Sequence, residues 1–412
     1  ARARPACPPL SARLERPDDL EPATAPFDPV RVPIERVETL DGFYRALARL
    51  SRGSSGDHVR IAVFGDSNLT MDLTSGRLRR ALQLRFGDGG HGFVALAKPW
   101  SHYRHMDVKH DVIGGWHAYA ITTSPTGDGL YGLGGIAVEN QWQGARTFVA
   151  TADAGAPVGT SAERLLVYSL ARPRGGMFDV RIDGAVAGRV DTFSPSPRLT
   201  ESRFEVEAGP HTLEVVSSSP HVVRVFGAAL ETKRPGIVVD SYGVGSLNTK
   251  TMAKPNPELS REMLRARRYD LLIHMTGAND VFTMDAVPEA LRKILELQRE
   301  ALPSASILLV TPADRGRRES FRPTLRVVDQ RRELATREGV ALWDQFAAMG
   351  GSGSMARFVK EGMAFGDAVH FNERGGAFVG DRLADALLDG FADYLAAHPE
   401  AGCHEPLVAG PF

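Results

Sequence analysis

The hydrophobic pattern of this chain changes its period partway along, and this change limits the folds that the sequence can adopt. From about residue 165 to residue 226, apolar and polar side chains alternate, as at Phe178, Val180 and Ile182, which predicts short antiparallel strands. On both sides of this segment, short apolar runs such as residues 59–64 alternate with amphipathic helical patterns. That second arrangement predicts parallel strands with helices on both faces of the sheet.

We therefore predict a three-layer α/β/α domain with a parallel sheet, interrupted by an inserted antiparallel β-sandwich. The first part of the α/β domain is expected at residues 35–104, the sandwich at 105–235, and the second part of the α/β domain at 236–398. Residues 1–34, which are rich in Pro, Ala and Arg, are expected to form an extended N-terminal tail. Residues 399–412 are expected to form a C-terminal tail.

The composition argues against two classes of function. The chain has 49 Lys and Arg residues against 50 Asp and Glu residues, which gives a net charge of −1. This balance produces no field that attracts polyanions, so nucleic acid is not an expected partner. No apolar run reaches the ~20 residues that a membrane-spanning helix needs. Oligomeric state cannot be derived from these properties.

The two ends of the chain bear on where the protein acts. The first residue is Ala1 instead of Met, which is compatible with the removal of an export signal. The two cysteines, Cys7 and Cys403, lie near opposite ends, and they are either unrelated thiols or a disulfide that joins the tails. A disulfide would require an oxidising compartment. We expect an exported protein, periplasmic or at the cell surface.

Polar motifs follow three of the predicted strands, and a fourth motif lies before the last predicted helix. The four motifs are Gly65-Asp66-Ser67, Gly243-Val244-Gly245-Ser246, Gly277-Ala278-Asn279-Asp280 and Asp367-Ala368-Val369-His370. Taken singly, each has a structural interpretation as a turn, a helix cap or a surface pair. Ligands of open α/β sheets, however, bind outside the carboxyl ends of the strands. We therefore expect the motifs to meet at one site.

Taken together, the four motifs resemble those of the SGNH/GDSL hydrolase superfamily. The resemblance covers both parts of the α/β domain and implies that Ser67 is the nucleophile, with Asp367 and His370 as the acid and base. The chemistry agrees, because a serine hydroxyl is a weak nucleophile that needs an adjacent base, itself oriented by a third group. Asp367 precedes His370 by three residues and can reach its other ring nitrogen.

The resemblance also implies three donors to a developing oxyanion. These are the backbone N–H of Ser67, a backbone N–H of the second motif and the side-chain amide of Asn279. The second motif lacks the spacer that the family often has, so its donor is either Gly245, which we favour, or Ser246. No cofactor is implied. No metal is expected either, although four histidines lie near the start of the insertion, because neither a cysteine nor a regular pair spacing supports a site. They are His91, His102, His105 and His110.

The segment at residues 86–94 resembles bacterial peptidoglycan O-acetylesterases, which remove acetyl groups from the C6 hydroxyl of N-acetylmuramic acid. We therefore expect a serine esterase whose partner is an acetylated polysaccharide, with peptidoglycan as the first candidate. The inserted sandwich resembles carbohydrate-binding or accessory modules, and Trp116 and Trp142 either stack on sugars or belong to its core.

Three other functions stay open at this point. The first is an esterase that acts on another acetylated polysaccharide, and the second is an SGNH-type O-acetyltransferase with the same triad. The third is a glycan-binding protein with a decayed site, although the intact Ser67, Asp367 and His370 argue against decay. A lipase is disfavoured, because the sequence has no long apolar lid and no amphipathic interfacial helix.

Overall fold

The computed structural model describes residues 30–403 together with Leu10 and Ala23. Within them the strands are β1 (Val59–Gly65), β2 (Gly92–Val94), β3 (Val108–Ile113), β4 (His117–Ala120), β5 (Ile136–Asn140), β6 (Arg146–Thr151), β7 (Ala162–Ala171), β8 (Met177–Ile182), β9 (Ala185–Asp191), β10 (Arg198–Gly209), β11 (Thr212–Ser217), β12 (Val223–Glu231), β13 (Ile237–Gly243), β14 (Leu271–Met275), β15 (Ser306–Val310) and β16 (Ala341–Trp343). The α-helices are α1 (Asp41–Ser51), α2 (Leu73–Phe86), α3 (Thr249–Met252), α4 (Pro257–Arg267), α5 (Val287–Ala301), α6 (Arg322–Glu338), α7 (Gln345–Ala348), α8 (Ser354–Lys360) and α9 (Glu373–Ala397).

Five strands form a parallel sheet in the order β13-β1-β14-β15-β16. Every residue of β1 is buried, as expected of a strand in a parallel sheet that is covered on both faces. In the register of the sheet, Gly65 at the end of β1 lies beside Gly243 of β13 and Met275 of β14. The segments that follow these three strands therefore start at one level of one edge, which we call the carboxyl edge.

Helices cover both faces of this sheet. Alternate residues of β1, such as Ile61 and Val63, pack with α1, α2 and α9 in one core. The residues between them, such as Ala62 and Phe64, face a second core that includes apolar side chains of α4, α5 and α6. The predicted three-layer α/β/α arrangement with a parallel sheet is confirmed.

Two antiparallel sheets lie between β1 and β13 in the sequence. One has the order β10-β7-β12-β5-β4, with β2 also paired to β12, and the other has the order β3-β6-β11-β8-β9. Inward-facing residues such as Phe178 and Val180 are fully buried, as the alternating pattern predicted. Their core is continuous with the second core of the α/β domain. The inserted antiparallel sandwich is therefore confirmed as part of the fold class.

The sandwich is joined to the parallel sheet by a buried ionic network. Glu231, at the end of β12, pairs with Arg60 of β1 at 2.9 Å and with Arg267 of α4 at 2.8 Å. Arg267 also pairs with Asp240 of β13 at 2.7 Å. Buried charges are tolerated when they are paired in this way. The network therefore holds four elements from both parts of the fold in one arrangement.

The domain boundaries expected from the sequence stay predictions, and one observation bears on them. Strand β2 precedes residue 105, where we expected the insertion to begin, yet it pairs with β12 of the sandwich. Most of the expected N-terminal tail, including Cys7, lies outside the described residues, as do residues 404–412. The predicted pairing of Cys7 with Cys403 therefore lies outside the described residues. None of the helices described is both long and apolar enough to cross a membrane.

Candidate active site

The first motif forms a sharp turn between β1 and a short 3₁₀ helix that begins at Ser67. A Cβ at position 65 would lie 2.4 Å from the end of the Leu69 side chain, so a larger residue there would force Leu69 to move. Asp66 caps the 3₁₀ helix by accepting a hydrogen bond from the backbone N–H of Asn68 at 3.1 Å. Burial is the largest cause that raises the pKa of Asp66, and the charge of Asp280 adds to it. Together they raise this pKa to about 6, although hydrogen bonds from backbone amides act to lower it. Ser67 itself is only half-buried.

The structure brings Ser67, His370 and Asp367 into one hydrogen-bonded chain. His370 Nε2 lies 2.8 Å from Ser67 Oγ, although the two residues are 303 positions apart. On the other side of the ring, His370 Nδ1 lies 2.7 Å from Asp367 Oδ2. A neutral imidazole with its proton on Nδ1 can donate to Asp367 and accept the serine proton on Nε2. This is the geometry that a general base and its orienting carboxylate require.

Asp367 is fixed by its own turn. Its Oδ1 accepts the backbone N–H groups of Val369 at 2.9 Å and His370 at 3.1 Å. Burial raises the pKa of Asp367, but the hydrogen bonds from the His370 side chain and these two amides outweigh it and hold the pKa below its ordinary value. The carboxylate therefore stays ionised when a proton moves to the imidazole.

Asn68 connects the turn of Ser67 to the turn that carries Asp367 and His370. It was not among the site residues predicted from the sequence. Its Nδ2 donates to the carbonyl of Val369 at 3.3 Å, and its Oδ1 accepts from the N–H of Phe371 at 3.0 Å. Both contacts flank His370, so Asn68 positions the imidazole relative to Ser67. The only sequence signal was its place directly after the first motif.

The proposed oxyanion donors lie on the loops that leave the carboxyl edge. Val244 N–H still bonds to the carbonyl of Gly65 at 3.1 Å. Within the described part of the chain, the backbone N–H groups of Ser67, Gly245 and Ser246 make no hydrogen bond. These three amides are therefore available to a substrate oxygen, and Gly245 and Ser246 both remain candidates for the second donor.

Asn279 is the third of the proposed donors. One hydrogen of its side-chain amide bonds to the carbonyl of Leu247 at 3.1 Å, which orients the group. An amide nitrogen carries two hydrogens, so the second is free to donate. The loops of the second and third motifs are held together by Asp280, which accepts from Thr249 N at 2.7 Å and Thr249 Oγ1 at 2.8 Å. Asp280 is fully buried and therefore holds these two loops together beneath the surface on which Ser67 and His370 lie.

Two of the histidines near the insertion, His91 and His105, are buried beside Asp72, whereas His102 is exposed. Asp72, His91 and His105 have ligand atoms within 4.8 Å of one another, a spacing that a metal ion could use. Asp72, however, already forms an ion pair with the buried guanidinium of Arg79, and His91 Nε2 lies 3.2 Å from His105 Nδ1 as a hydrogen-bond partner. A cation would have to displace these contacts. Burial is the largest of the causes that lower the pKa of His91 well below its ordinary value, and the charge of Arg79 acts in the same direction.

Comparisons with known proteins were made for the whole chain. The model of the GDSL-like lipase/acylhydrolase family matches residues 209–378, a range that contains Asn279, Asp367 and His370 but not Ser67. The search of curated proteins finds no match.

Several solved structures are similar to this chain. One described as a peptidoglycan O-acetylesterase has a TM-score of 0.70 and 24% sequence identity, and the match covers 84% of this chain and 95% of that one. A family two carbohydrate esterase from Clostridium thermocellum has a TM-score of 0.28 at 11% identity, with 60% and 93% covered. A family 3 carbohydrate esterase from Talaromyces cellulolyticus has a TM-score of 0.31 at 18% identity, with 37% and 72% covered. Only the first of these is close enough to support an argument, and it concerns the fold.

Residues 209–378 therefore match the GDSL-like acylhydrolase family that the motifs indicated, and the fold is similar to that of the solved structure described as a peptidoglycan O-acetylesterase. Together they confirm that this chain resembles the SGNH/GDSL hydrolases and is a carboxylic ester hydrolase.

Proposed function

We propose that this protein is a serine esterase that removes O-acetyl groups from a polysaccharide, with peptidoglycan as the substrate. The observation that carries the proposal is the chain of hydrogen bonds from Ser67 through His370 to Asp367, at 2.8 Å and 2.7 Å. It lies at the carboxyl edge of the sheet beside backbone amides that make no hydrogen bond within residues 30–403. These are the parts that acyl transfer through a serine requires.

The proposed reaction has two halves. Ser67 Oγ attacks the acetyl carbonyl while His370 Nε2 takes the hydroxyl proton. The carbonyl oxygen becomes an oxyanion, which accepts hydrogen bonds from these backbone amides and from the side-chain amide of Asn279. The tetrahedral intermediate collapses, His370 returns the proton to the sugar oxygen, and acetyl-Ser67 remains. Water then attacks this ester, with His370 again as the base, and releases acetate and free Ser67. Preorganised donors of this kind are typically worth about 3–4 kcal/mol each in the transition state.

The exposure of the site supports a polymeric substrate. The side chains of His370 and Asp367 are 39% and 46% exposed, so the catalytic groups lie at the surface. An ester on a long glycan can therefore reach Ser67 without threading through a tunnel. Support for peptidoglycan comes from the similarity in fold to a structure described as a peptidoglycan O-acetylesterase, which covers 84% of this chain.

The sandwich offers a second place for a glycan. Trp142 is 63% exposed, and its ring lies against Gly115, where a Cβ would be 2.7 Å from the ring. The ring thus has one face on the backbone and the other towards solvent, beside a cleft of about 300 Å³ that His117, Tyr119 and Glu139 also line. Exposed aromatic faces of this kind stack well on sugars. We propose that Trp142 contacts the polymer.

Export follows from the proposed substrate. O-acetylated peptidoglycan lies outside the cytoplasmic membrane, so an enzyme that deacetylates it must act there. We therefore propose that the protein works in the periplasm or at the cell surface. Fractionation of cells that produce the natural full-length protein, followed by detection in each fraction, tests this point, and recovery in the cytoplasm alone would contradict it.

The decisive experiment measures acetate released from O-acetylated peptidoglycan and from acetylated xylan by the wild-type protein. Ser67→Ala serves as the inactive control, and Ser352→Ala, at an exposed serine outside the four motifs, as the matched control. We expect release from peptidoglycan that depends on Ser67. Release from xylan alone would move the substrate to another polysaccharide. Acetyl transfer to an added glycan acceptor, without hydrolysis, would favour an O-acetyltransferase.

A further inference from the structure

Two loops at the carboxyl edge carry aromatic and cationic side chains that the esterase mechanism does not use. Phe282 lies in the segment after β14, and Arg315 and Phe321 lie in the loop between β15 and α6, with Phe321 directly before α6. The guanidinium carbon of Arg315 lies 6.0 Å from the centre of the Phe282 ring and 5.3 Å from the centre of the Phe321 ring. We call these three side chains the Arg315 lip.

The Arg315 lip adjoins the catalytic groups on two sides. Gly316, next to Arg315, donates its N–H at 3.1 Å to the carbonyl of Ala368, which lies between Asp367 and His370. The N–H of Phe282 lies 3.4 Å from the carbonyl of Asn279. The lip therefore spans the space between the loop of the oxyanion donor and the turn of the catalytic histidine.

The loop that carries Arg315 is held in a defined shape. The N–H of Phe321 donates to the carbonyl of Arg315 at 2.6 Å and closes the loop. Beneath it, the buried carboxylate of Asp314 accepts from Ser320 Oγ at 2.5 Å and from the N–H of Met355 at 2.9 Å. Asp314 is thus occupied by its own loop and by α8, and the position of Arg315 is set before any ligand arrives.

Among the described residues, the charge of Arg315 has no counter-ion. In residues 30–403, no carboxylate pairs with Arg315, nor with the exposed Arg317 and Arg318 of the same loop. Phe282 is 70% exposed and Phe321 41% exposed, so the rings do not enclose the guanidinium. Two aromatic faces attract the cation and restrict its rotamers, and its N–H edges stay open to an acceptor.

We propose that the Arg315 lip binds a carboxylate of the acetylated polymer next to the ester that Ser67 attacks, and so selects anionic over neutral glycans. The inference rests on the proposed esterase function and names the class of its substrate. A planar guanidinium pairs with a carboxylate through two parallel hydrogen bonds, and the exposed face of Phe282 can cover an adjacent sugar ring. The carboxylate belongs either to a sugar ring or to a peptide attached to the glycan.

The test compares wild type, Arg315→Gln and the matched control Arg265→Gln, an exposed arginine on α4 that also lacks an ion pair among the described residues. Four substrates are used: O-acetylated peptidoglycan with peptide carboxylates, acetylated alginate with ring carboxylates, neutral acetylated xylan, and 4-nitrophenyl acetate. For Arg315→Gln we expect kcat/KM on the anionic polymers, relative to that on 4-nitrophenyl acetate, to fall about tenfold, mainly through KM. The Arg265→Gln variant should keep the wild-type ratios.

The pattern of losses decides the source of the carboxylate. A loss on peptidoglycan alone supports a peptide carboxylate, and a loss on alginate as well supports a ring carboxylate. Added salt should shrink the wild-type preference for anionic polymers, since exposed charges are screened. Equal losses on xylan and on the anionic polymers, or no loss on any polymer, would overturn the proposal.

A binding measurement separates this proposal from the esterase function. Co-sedimentation with insoluble peptidoglycan and with xylan is measured for Ser67→Ala and for Ser67→Ala combined with Arg315→Gln. Weaker binding of the double variant to peptidoglycan, at unchanged binding to xylan, supports the lip even if no ester is cleaved. If the wild-type protein cleaves no ester but the double variant still binds peptidoglycan more weakly than Ser67→Ala does, only the proposed reaction is contradicted. If the double variant binds peptidoglycan as well as Ser67→Ala does, only the proposed role of the Arg315 lip is contradicted.

Discussion

Asn279 is the proposed oxyanion donor whose contribution a single substitution can isolate, because the other proposed donors are backbone amides. Asn279→Ala removes the side-chain amide and leaves the Ser67–His370 hydrogen bond untouched. We expect kcat on a small acetyl ester to fall roughly 10²–10³-fold with a small change in KM, since the interaction is made in the transition state. The measurement is steady-state kinetics with circular dichroism as a check on folding. A change confined to KM would argue that Asn279 binds the ground state instead.

The hydrogen bonds of Asp367 determine how activity depends on pH. Because its pKa is below the ordinary value, Asp367 is ionised across the neutral range and does not limit the reaction there. The proposed base His370 can accept the serine proton only as a neutral imidazole, so we expect kcat/KM for a small acetyl ester to rise from acid to neutral pH. Asp367→Asn should lower the plateau roughly 10²–10⁴-fold. A flat profile between acid and neutral pH would contradict a histidine base.

At the scale of elements, the two tryptophans at the β4–β5 end of the sandwich differ in role. Trp116 is partly buried and packs against the hydrophobic core, whereas Trp142 is exposed above Gly115. Trp142→Ala should therefore reduce kcat/KM on O-acetylated peptidoglycan several-fold relative to that on 4-nitrophenyl acetate. Loss of a stacked sugar is typically worth about 1 kcal/mol. Trp116→Ala should instead lower the stability of the fold.

The comparison of polymer and small ester tests this assignment. Both variants are first examined by thermal unfolding, because a loss of stability alone could imitate a loss of binding. Equal losses on the two substrates in a folded Trp142→Ala protein would mean that the sandwich shapes the catalytic pocket directly. An unchanged ratio would remove the glycan role from Trp142 and weaken the peptidoglycan assignment more than the esterase assignment.

At the scale of the whole molecule, the ionic network around Glu231 couples the sandwich to the parallel sheet. Glu231→Gln leaves Arg60 and Arg267 without their shared carboxylate in a buried site. We expect the free energy of unfolding to fall by about 3–5 kcal/mol, as when one partner of a buried pair is removed. Glu205→Gln, at exposed ion pairs on β10, should change it by about 1 kcal/mol at most. Urea unfolding measures both values.

The same experiment asks whether the two parts unfold together. A common hydrophobic core and the network predict a single wild-type transition, with tryptophan fluorescence and circular dichroism coinciding. Burial raises the pKa of Glu231, but Arg60 and Arg267 outweigh it and hold the pKa well below the ordinary value. The stabilisation is therefore present above the pKa of the unfolded carboxyl and is lost as pH falls through the folded value. Two separate wild-type transitions would contradict this coupling.

The sequence by itself determined the elements and the chemical groups. The period of the apolar residues identified the buried strands and the alternating sandwich strands, because side-chain burial follows the geometry of each element directly. The four motifs supplied Ser67, Asn279, Asp367 and His370, and strand ends of a parallel sheet must share one edge. That these residues meet at the carboxyl edge was therefore predictable, while their catalytic roles stay predictions for the experiments above.

The tertiary structure alone decided which elements are partners. The short strand β2 reads as part of the first αβ unit, yet it pairs with β12, and nothing local specifies a partner more than a hundred residues away. Likewise, Trp116 and Trp142 look alike in sequence, but the packing of β4 and β5 buries one and exposes the other. Periodicity fixes which face of an element is apolar, whereas the neighbour that covers this face depends on contacts between distant segments. For the same reason, the placing of Arg315 between two aromatic rings beside His370 could not be derived before the chain was folded.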